Sequence, residues 1–258
     1  MSRLEQFKRY LAFRKGSLNR HGVHSPFVFE LIEQVLRNKK KEPVFMDIEK
    51  RRARLLKDET SISMDDPGAG SSTSKSERRV KDVARLSLSS PDQCRILYRL
   101  VEHFKPETLL EFGSCMGIST SYLAKAHECS VFSMEGHPEL YRICEETKKE
   151  LGLHVNLKKG LFQDILLEVL ANMGKVDMAF VDGHHTEEAT LQYFDQLKPH
   201  IHEDSVLIFD DIHWSEGMER AWEEIKSDQE VTLSIDLFWC GIVFFKKGLS
   251  GEHFKLRY

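Results

Sequence analysis

The chain has 258 residues, 41% of them hydrophobic and 30% charged, with a formal net charge of −4. Such figures describe a soluble, globular chain with room for one large domain, or one domain with an extension. No apolar run approaches the roughly 18 residues of a membrane-spanning helix, no secretory h-region opens the chain, and the five cysteines form no CxxC pair, so a reducing cytoplasm is the expected compartment.

The charge is uneven along the chain. Residues 1–57 hold 15 Lys and Arg against 6 Asp and Glu, a balance of +9, and the remainder holds 22 against 35, or −13. A basic arm on an acidic body suits nucleic acid or a membrane surface, but it also suits docking on its own body, which is the commoner use. Within the arm, Leu4, Phe7, Tyr10 and Leu11 share one face of a predicted short helix. Helical periodicity resumes from Phe27 to Leu36, after the breaks at Gly22 and Pro26, and "DIEKRRARLLKD" continues as a charged helix. Residues 65–77, "DDPGAGSSTSKSE", read as a linker or as a loop folding over a site. Ser90 caps the next predicted helix, with Pro91 in its first turn.

From Thr108 the pattern alternates strand and helix. Strands are expected at "TLLEF" (108–112), "VFSME" (131–135), "VNLKK", "VDMAFV" and "SVLIFD" (205–210), each followed by a helical segment. "VTLSIDLF" and "GIVFF" close the series with a link too short for a crossover, so they form an antiparallel hairpin. The architecture is α/β: a doubly wound, mostly parallel sheet. We divide the chain into an N-terminal helical extension, 1–90, and a Rossmann-like domain, 91–258.

Ligands of such sheets sit beyond the carboxyl ends of the strands, and four strand ends here carry polar residues. In "LLEFGSCMGISTSYLA", Gly113 and Gly117 flank a strand-to-helix turn that lets the backbone approach a ligand and presents helix N–H groups to an anion. The spacing is not GxGxxG, and glycines serving the turn alone are the plainer alternative. Glu135 follows Gly113 by 22 residues, where an acid can accept ribose hydroxyls. Phe162 could pack on a purine with Gln163 at its edge, or Phe162 belongs to the core and Asp164 serves the helix N-terminus. Asp182 ends one strand and Asp210 with Asp211 ends the next, so three carboxylates gather, a donor set suited to a hard cation such as Mg²⁺. Capping of helices by these acids is the alternative. His184 and His185 follow Asp182, but HExxH and HxH spacings are absent, which disfavours a zinc hydrolase.

From about Thr108 to Phe245 the chain resembles the class I S-adenosylmethionine-dependent methyltransferases, and within them the catechol and caffeoyl-CoA O-methyltransferase type. The resemblance implies a seven-stranded sheet of order 3-2-1-4-5-7-6 with helices on both faces. It implies that Glu111 faces the methionine amino group, that Gly113, Ser114, Gly117 and Ser119 surround the methionine moiety, and that Glu135 binds the ribose. Phe162 and Gln163 then contact adenine, Asp182, Asp210 and Asp211 match metal ligands, and His185 stands where the catechol enzymes place a lysine base. Asp in place of Asn at 211 and His in place of Lys at 185 depart from that pattern. The segments "GVHSPF", "DDPGAGS", "DDIHW" and "IDLFWCG" look more like a bacterial class I group of unassigned substrate, which favours a cap over the site.

The expected function is S-adenosylmethionine-dependent methylation of a small-molecule hydroxyl, with His185 as base beside Asp182 and with metal assistance open. A small-molecule acceptor is the expected partner, a homodimer is open, and nucleic acid is disfavoured. A nicotinamide oxidoreductase shares the sheet but lacks the glycine spacing. A non-catalytic S-adenosylmethionine- or nucleic-acid-binding module fits the basic arm, but no Asn-Pro-Pro-Tyr-like sequence follows the fourth strand.

Overall fold

In the computed structural model of the protein, residues 3–64, 77–249 and 251–258 are described. The Gly/Ser/Asp-rich segment expected as a linker or folding loop lies outside them, save for Glu77. The chain begins with α1 (Arg3–Gly16), α2 (Pro26–Leu31) and α3 (Val44–Leu55). Instead of one regular helix over Phe27–Leu36, α2 passes into a π-helical turn over Ile32–Leu36. Two short strands, β1 (Ser61–Ser63) and β2 (Glu77–Arg79), pair antiparallel and lead to α4 (Val80–Ser87) and α5 (Pro91–Phe104). The alternating series is β3 (Thr108–Phe112), α6 (Ile118–Ala126), β4 (Ser130–Glu135), α7 (Pro138–Leu151), β5 (Val155–Lys159), α8 (Phe162–Met173), β6 (Met178–Val181), α9 (Glu187–Leu197), β7 (Val206–Asp210) and α10 (Glu216–Ser227). β8 (Leu233–Asp236), β9 (Cys240–Phe244) and β10 (Glu252–Lys255) follow.

Local chemistry sets the helix starts. Ser90 and Gln93 form a reciprocal capping box at α5, with Pro91 in the first turn. The Thr186 hydroxyl accepts from Ala189 N–H at α9, and Ser215 accepts from Met218 N–H at α10.

The sheet order is β10-β8-β9-β7-β6-β3-β4-β5. Counting from β3, this is the expected 3-2-1-4-5-7-6 with one further strand. That strand, β10, pairs parallel to β8, while β8 and β9 form the expected antiparallel hairpin. Every residue of β6, β8 and β9 is buried, which explains their unbroken apolar character, whereas the edge strands β10 and β5 are largely open. Gly241 belongs to this packing: a Cβ there would lie 2.5 Å from Trp222 Cζ3, so only glycine lets the buried indole lie on β9.

The chain divides into two compact units: Met1–Arg37 with Thr108–Leu110 and Leu170–Tyr258, and Asn38–Glu107 with Glu111–Val169. Within each, the basic N-terminal segments meet acidic helices of their own unit. Arg9 pairs with Glu219 in the first. In the second, Arg51 lies 3.7 Å from Glu146 and 3.5 Å from Glu150, while its Nε donates to Thr147 Oγ1 at 3.0 Å. Phe45 packs edge-on against Tyr98 with ring centroids 4.9 Å apart, completing the seat of α3.

Candidate functional site

The turn after β3 is built from residues in uncommon backbone conformations. Gly113, Cys115 and Gly117 have φ of 82°, 47° and 81°. Left-handed geometry suits glycine and costs a residue such as Cys115 about 1 kcal/mol. Hydrogen bonds to β4 hold the turn: Gly113 and Ser114 N–H donate to Met134 O at 2.9 and 3.1 Å, and Cys115 N–H donates to Glu135 Oε2 at 2.7 Å. The other Glu135 oxygen accepts from His137 N–H at 2.8 Å. Glu135 therefore anchors the glycine turn besides ending β4, a role its sequence position did not disclose. A carboxylate has about four acceptor positions, so backbone anchoring and a ribose hydroxyl are chemically compatible.

Gly117 is the N-cap of α6 and has no side chain to bond the helix's first N–H groups, which are donors suited to an anionic or carbonyl oxygen. A Cβ at Gly117 would also meet Cys144 Sγ at 3.0 Å and Thr147 Cβ at 3.2 Å. Gly117→Ala is expected to destabilise the protein by about 2–4 kcal/mol, combining left-handed strain with overpacking. Urea unfolding checks this, and a loss under about 1 kcal/mol would show that the turn adapts.

Glu111 is fully buried. Ser119 Oγ donates to its Oε1 at 2.7 Å, and Thr120 Oγ1 and Ser133 Oγ donate to its Oε2, both at 2.5 Å. Hydroxyls from α6 and β4 thus replace water around this carboxylate, as a buried charge requires. Ser114 is buried as well. Phe162 is buried, its ring edge-on to Phe112 at 5.6 Å, while Gln163 is exposed at the start of α8. These residues all belong to the second unit.

The acidic group belongs to the first unit. β6 and β7 are parallel with Val181 opposite Phe209, and one further step sets Asp182 beside Asp210. Burial, reinforced by the charges of Asp182 and Asp211, holds the Asp210 carboxyl well above its ordinary pKa. Asp211, at φ 53°, is raised too: burial outweighs the opposing His185, and Asp182 adds to it. His185 Nε2 stands 3.4 Å from Asp182 Oδ1. Burial would lower the His185 pKa, but the hydrogen bond to Asp182 and the charges of Asp182 and Asp211 raise it. His184 faces elsewhere, its Nδ1 bonded to Tyr193 OH. The two adjacent histidines therefore have separate surroundings, and only His185 joins the aspartates.

Three carboxylates are chemically suited to a divalent cation. Even so, among the described residues no group of three or more His, Cys, Asp or Glu side chains is arranged to hold a metal ion. Asp210 Oδ1 is buried and has no hydrogen-bond partner. The residues as placed do not fit a metal, and we derive no step through one. Beyond β7, His213 bridges Asp236 and Glu219 at 2.9 Å each, while Trp214 is 45% exposed.

Comparison with known proteins bears on the fold. Residues 110–212 match the family model described as Methyltransferase domain. An O-methyltransferase from Bacillus cereus, solved with S-adenosylhomocysteine, is 19% identical with TM-score 0.56, covering 84% of this chain and 97% of that one. The O-methyltransferase TomG from Streptomyces achromogenes, involved in tomaymycin synthesis and solved with S-adenosylmethionine, is 16% identical with TM-score 0.57, covering 80% and 91%. A Podospora anserina methyltransferase bound to S-adenosylhomocysteine is 14% identical with TM-score 0.61, covering 86% and 94%. No curated protein matches the chain in sequence. Residues 110–212 are thus similar to a methyltransferase domain, and the chain shares its Rossmann-like fold with these methyltransferases of solved structure.

Proposed function

We propose that the protein is an O-methyltransferase that transfers the methyl of S-adenosylmethionine to a small-molecule hydroxyl. The observation that carries this reading is the His185–Asp182 pair beside the half-buried Asp210. Bound S-adenosylmethionine supplies a methyl already activated on a sulfonium. The chain's task is to hold the donor, orient the acceptor and take its proton.

The residues proposed to hold the donor are Gly113, Ser114, Gly117 and Ser119 at the turn, Glu135 for the ribose, and Phe162 with Gln163 for the adenine. Glu111 contributes through the hydroxyls it orders, including that of Ser119. On the acceptor side, His185 Nε2 takes the hydroxyl proton. Asp182 fixes the imidazole and stabilises the imidazolium that forms, and Asp210 stands beside Asp182 on the neighbouring strand. Residues 1–90 act as an extension to the methyltransferase domain at 91–258 in this reading, and the enzyme works in the cytoplasm.

Methyl transfer from labelled S-adenosylmethionine to a panel of phenols, alcohols, amines and thiols tests the proposal. Hydroxyl acceptors are expected to turn over with and without EDTA. Transfer confined to nitrogen or sulfur acceptors would overturn the O-methylation reading, and activity lost to EDTA and restored by Mg²⁺ would return a metal to the site.

A further inference from the structure

α1 carries its apolar stripe away from the protein. Phe7 and Leu11, which share a helix face, are 56% and 47% exposed, while Tyr10 at their edge, 40% exposed, sets its ring edge-on to Phe238 at 5.1 Å. The opposite face holds the helix in place: Phe13 is buried against Phe238 with ring centroids 5.3 Å apart, and Arg9 pairs with Glu219. Exposed Lys8, Arg14 and Lys15 surround the stripe. A second basic and apolar contribution follows directly. Leu18, 39% exposed, donates its N–H to Lys255 O at 2.7 Å and accepts from Arg257 N–H at 3.0 Å, and both of those residues are exposed.

An isolated exposed leucine is ordinary on a protein surface. A helix anchored by one face, with aromatic and aliphatic residues on the other and cations at the border, is built for an amphiphilic anionic surface. Charge complementarity selects the occupant. The stripe is bordered by Lys8, Arg14 and Lys15 in a helix with five Lys and Arg against one Glu, while the rest of the chain is acidic and would otherwise be repelled by anionic lipid. A nucleic acid would reward the cations but would gain nothing from Leu11. A second copy would have to cover the cations with acids from its own surface.

We propose that α1 with the adjoining Leu18 segment is an interfacial binding surface for membranes containing anionic lipid, seating the enzyme on the membrane without crossing it. The proposal is independent of the methyl acceptor, although it would favour acceptors that partition into lipid.

Flotation of the full chain with vesicles of phosphatidylcholine alone, or with roughly one third phosphatidylglycerol, tests it. Binding is expected to be about tenfold or more tighter to the anionic vesicles and to weaken as salt rises. Phe7→Ser with Leu11→Ser is expected to lower vesicle affinity about tenfold, and Lys8→Glu with Lys15→Glu to remove the preference for anionic lipid. Both variants change exposed side chains, so unaltered melting confirms that they fold. Equal or absent binding to the two vesicle types would overturn the proposal. So would light scattering that shows a dimer converted to a monomer by the serine pair with no vesicle binding, since the face would then belong to a second copy.

Discussion

His185→Ala is expected to lower kcat about 10²–10⁴-fold, the usual contribution of a positioned general base. S-adenosylmethionine affinity should stay unchanged, because the residues proposed to bind it belong to the other unit. The neighbouring His184→Ala should cost far less, since its ring nitrogen is engaged by Tyr193 and not by the aspartates. The pH dependence has a defined sign. A base works when deprotonated, and Asp182 with Asp211 raises the His185 pKa above its ordinary 6.5. The rate should therefore rise with pH through a midpoint above 6.5, and that limb should vanish in the alanine variant. A midpoint below 6.5, or a limb retained in His185→Ala, would assign the proton transfer to another group.

Arg52→Ala should have the largest effect on stability. The guanidinium is 6% exposed and donates to Ser89 O at 2.6 Å, Glu49 Oε1 at 3.0 Å and Cys94 Sγ at 3.4 Å. Tyr122 OH donates to the same Glu49 oxygen at 2.8 Å. The cluster joins α3 to α5 and α6, and burial pushes the Cys94 thiol up to about 11, with Arg52 opposing that rise. Removing one partner of a buried ion pair costs roughly 3–5 kcal/mol, but Glu49 keeps 27% exposure and can recover some hydration. The expected loss is about 2–4 kcal/mol, or about 5–15 °C in Tm. Denaturant unfolding with a loss under about 1 kcal/mol would show that the cluster is solvated and contributes little.

Much of this layout is legible in the sequence, for identifiable reasons. Strands buried on both faces leave apolar runs such as "SVLIFD", and the runs fix the alternation with helices. Parallel register then brings Asp182 to Asp210 although 28 residues separate them. Capping by Ser90 follows local hydrogen-bond chemistry and is met in the structure. Other features depend on contacts that no short window contains. β10 is an open edge strand with a single half-buried residue, Phe254, so it has no periodicity to detect. Periodicity in α1 shows that Phe7 and Leu11 share a face, but the anchoring of Arg9 and Phe13 turns that face outward. Residue type and strand-end position made the aspartates a candidate cation site, while their arrangement depends on Asp211 leaving β7 in a left-handed conformation. The distinction between His184 and His185 rests on Tyr193, on the following helix. Likewise, Glu135 shows its ribose-like position in sequence but not its grip on Cys115 N–H.

That grip makes Glu135 the most informative residue for the account as a whole. Calorimetric titration of S-adenosylmethionine into the wild-type protein and Glu135→Ala, with melting curves of both, tests it directly. The account predicts saturable binding by the wild type and a loss of at least about 1–3 kcal/mol of binding energy in the variant, as a charged hydrogen-bond acceptor is removed and the turn it anchors is loosened. A folded Glu135→Ala protein that binds S-adenosylmethionine as tightly as the wild type, or a wild type that does not bind it, would contradict the account.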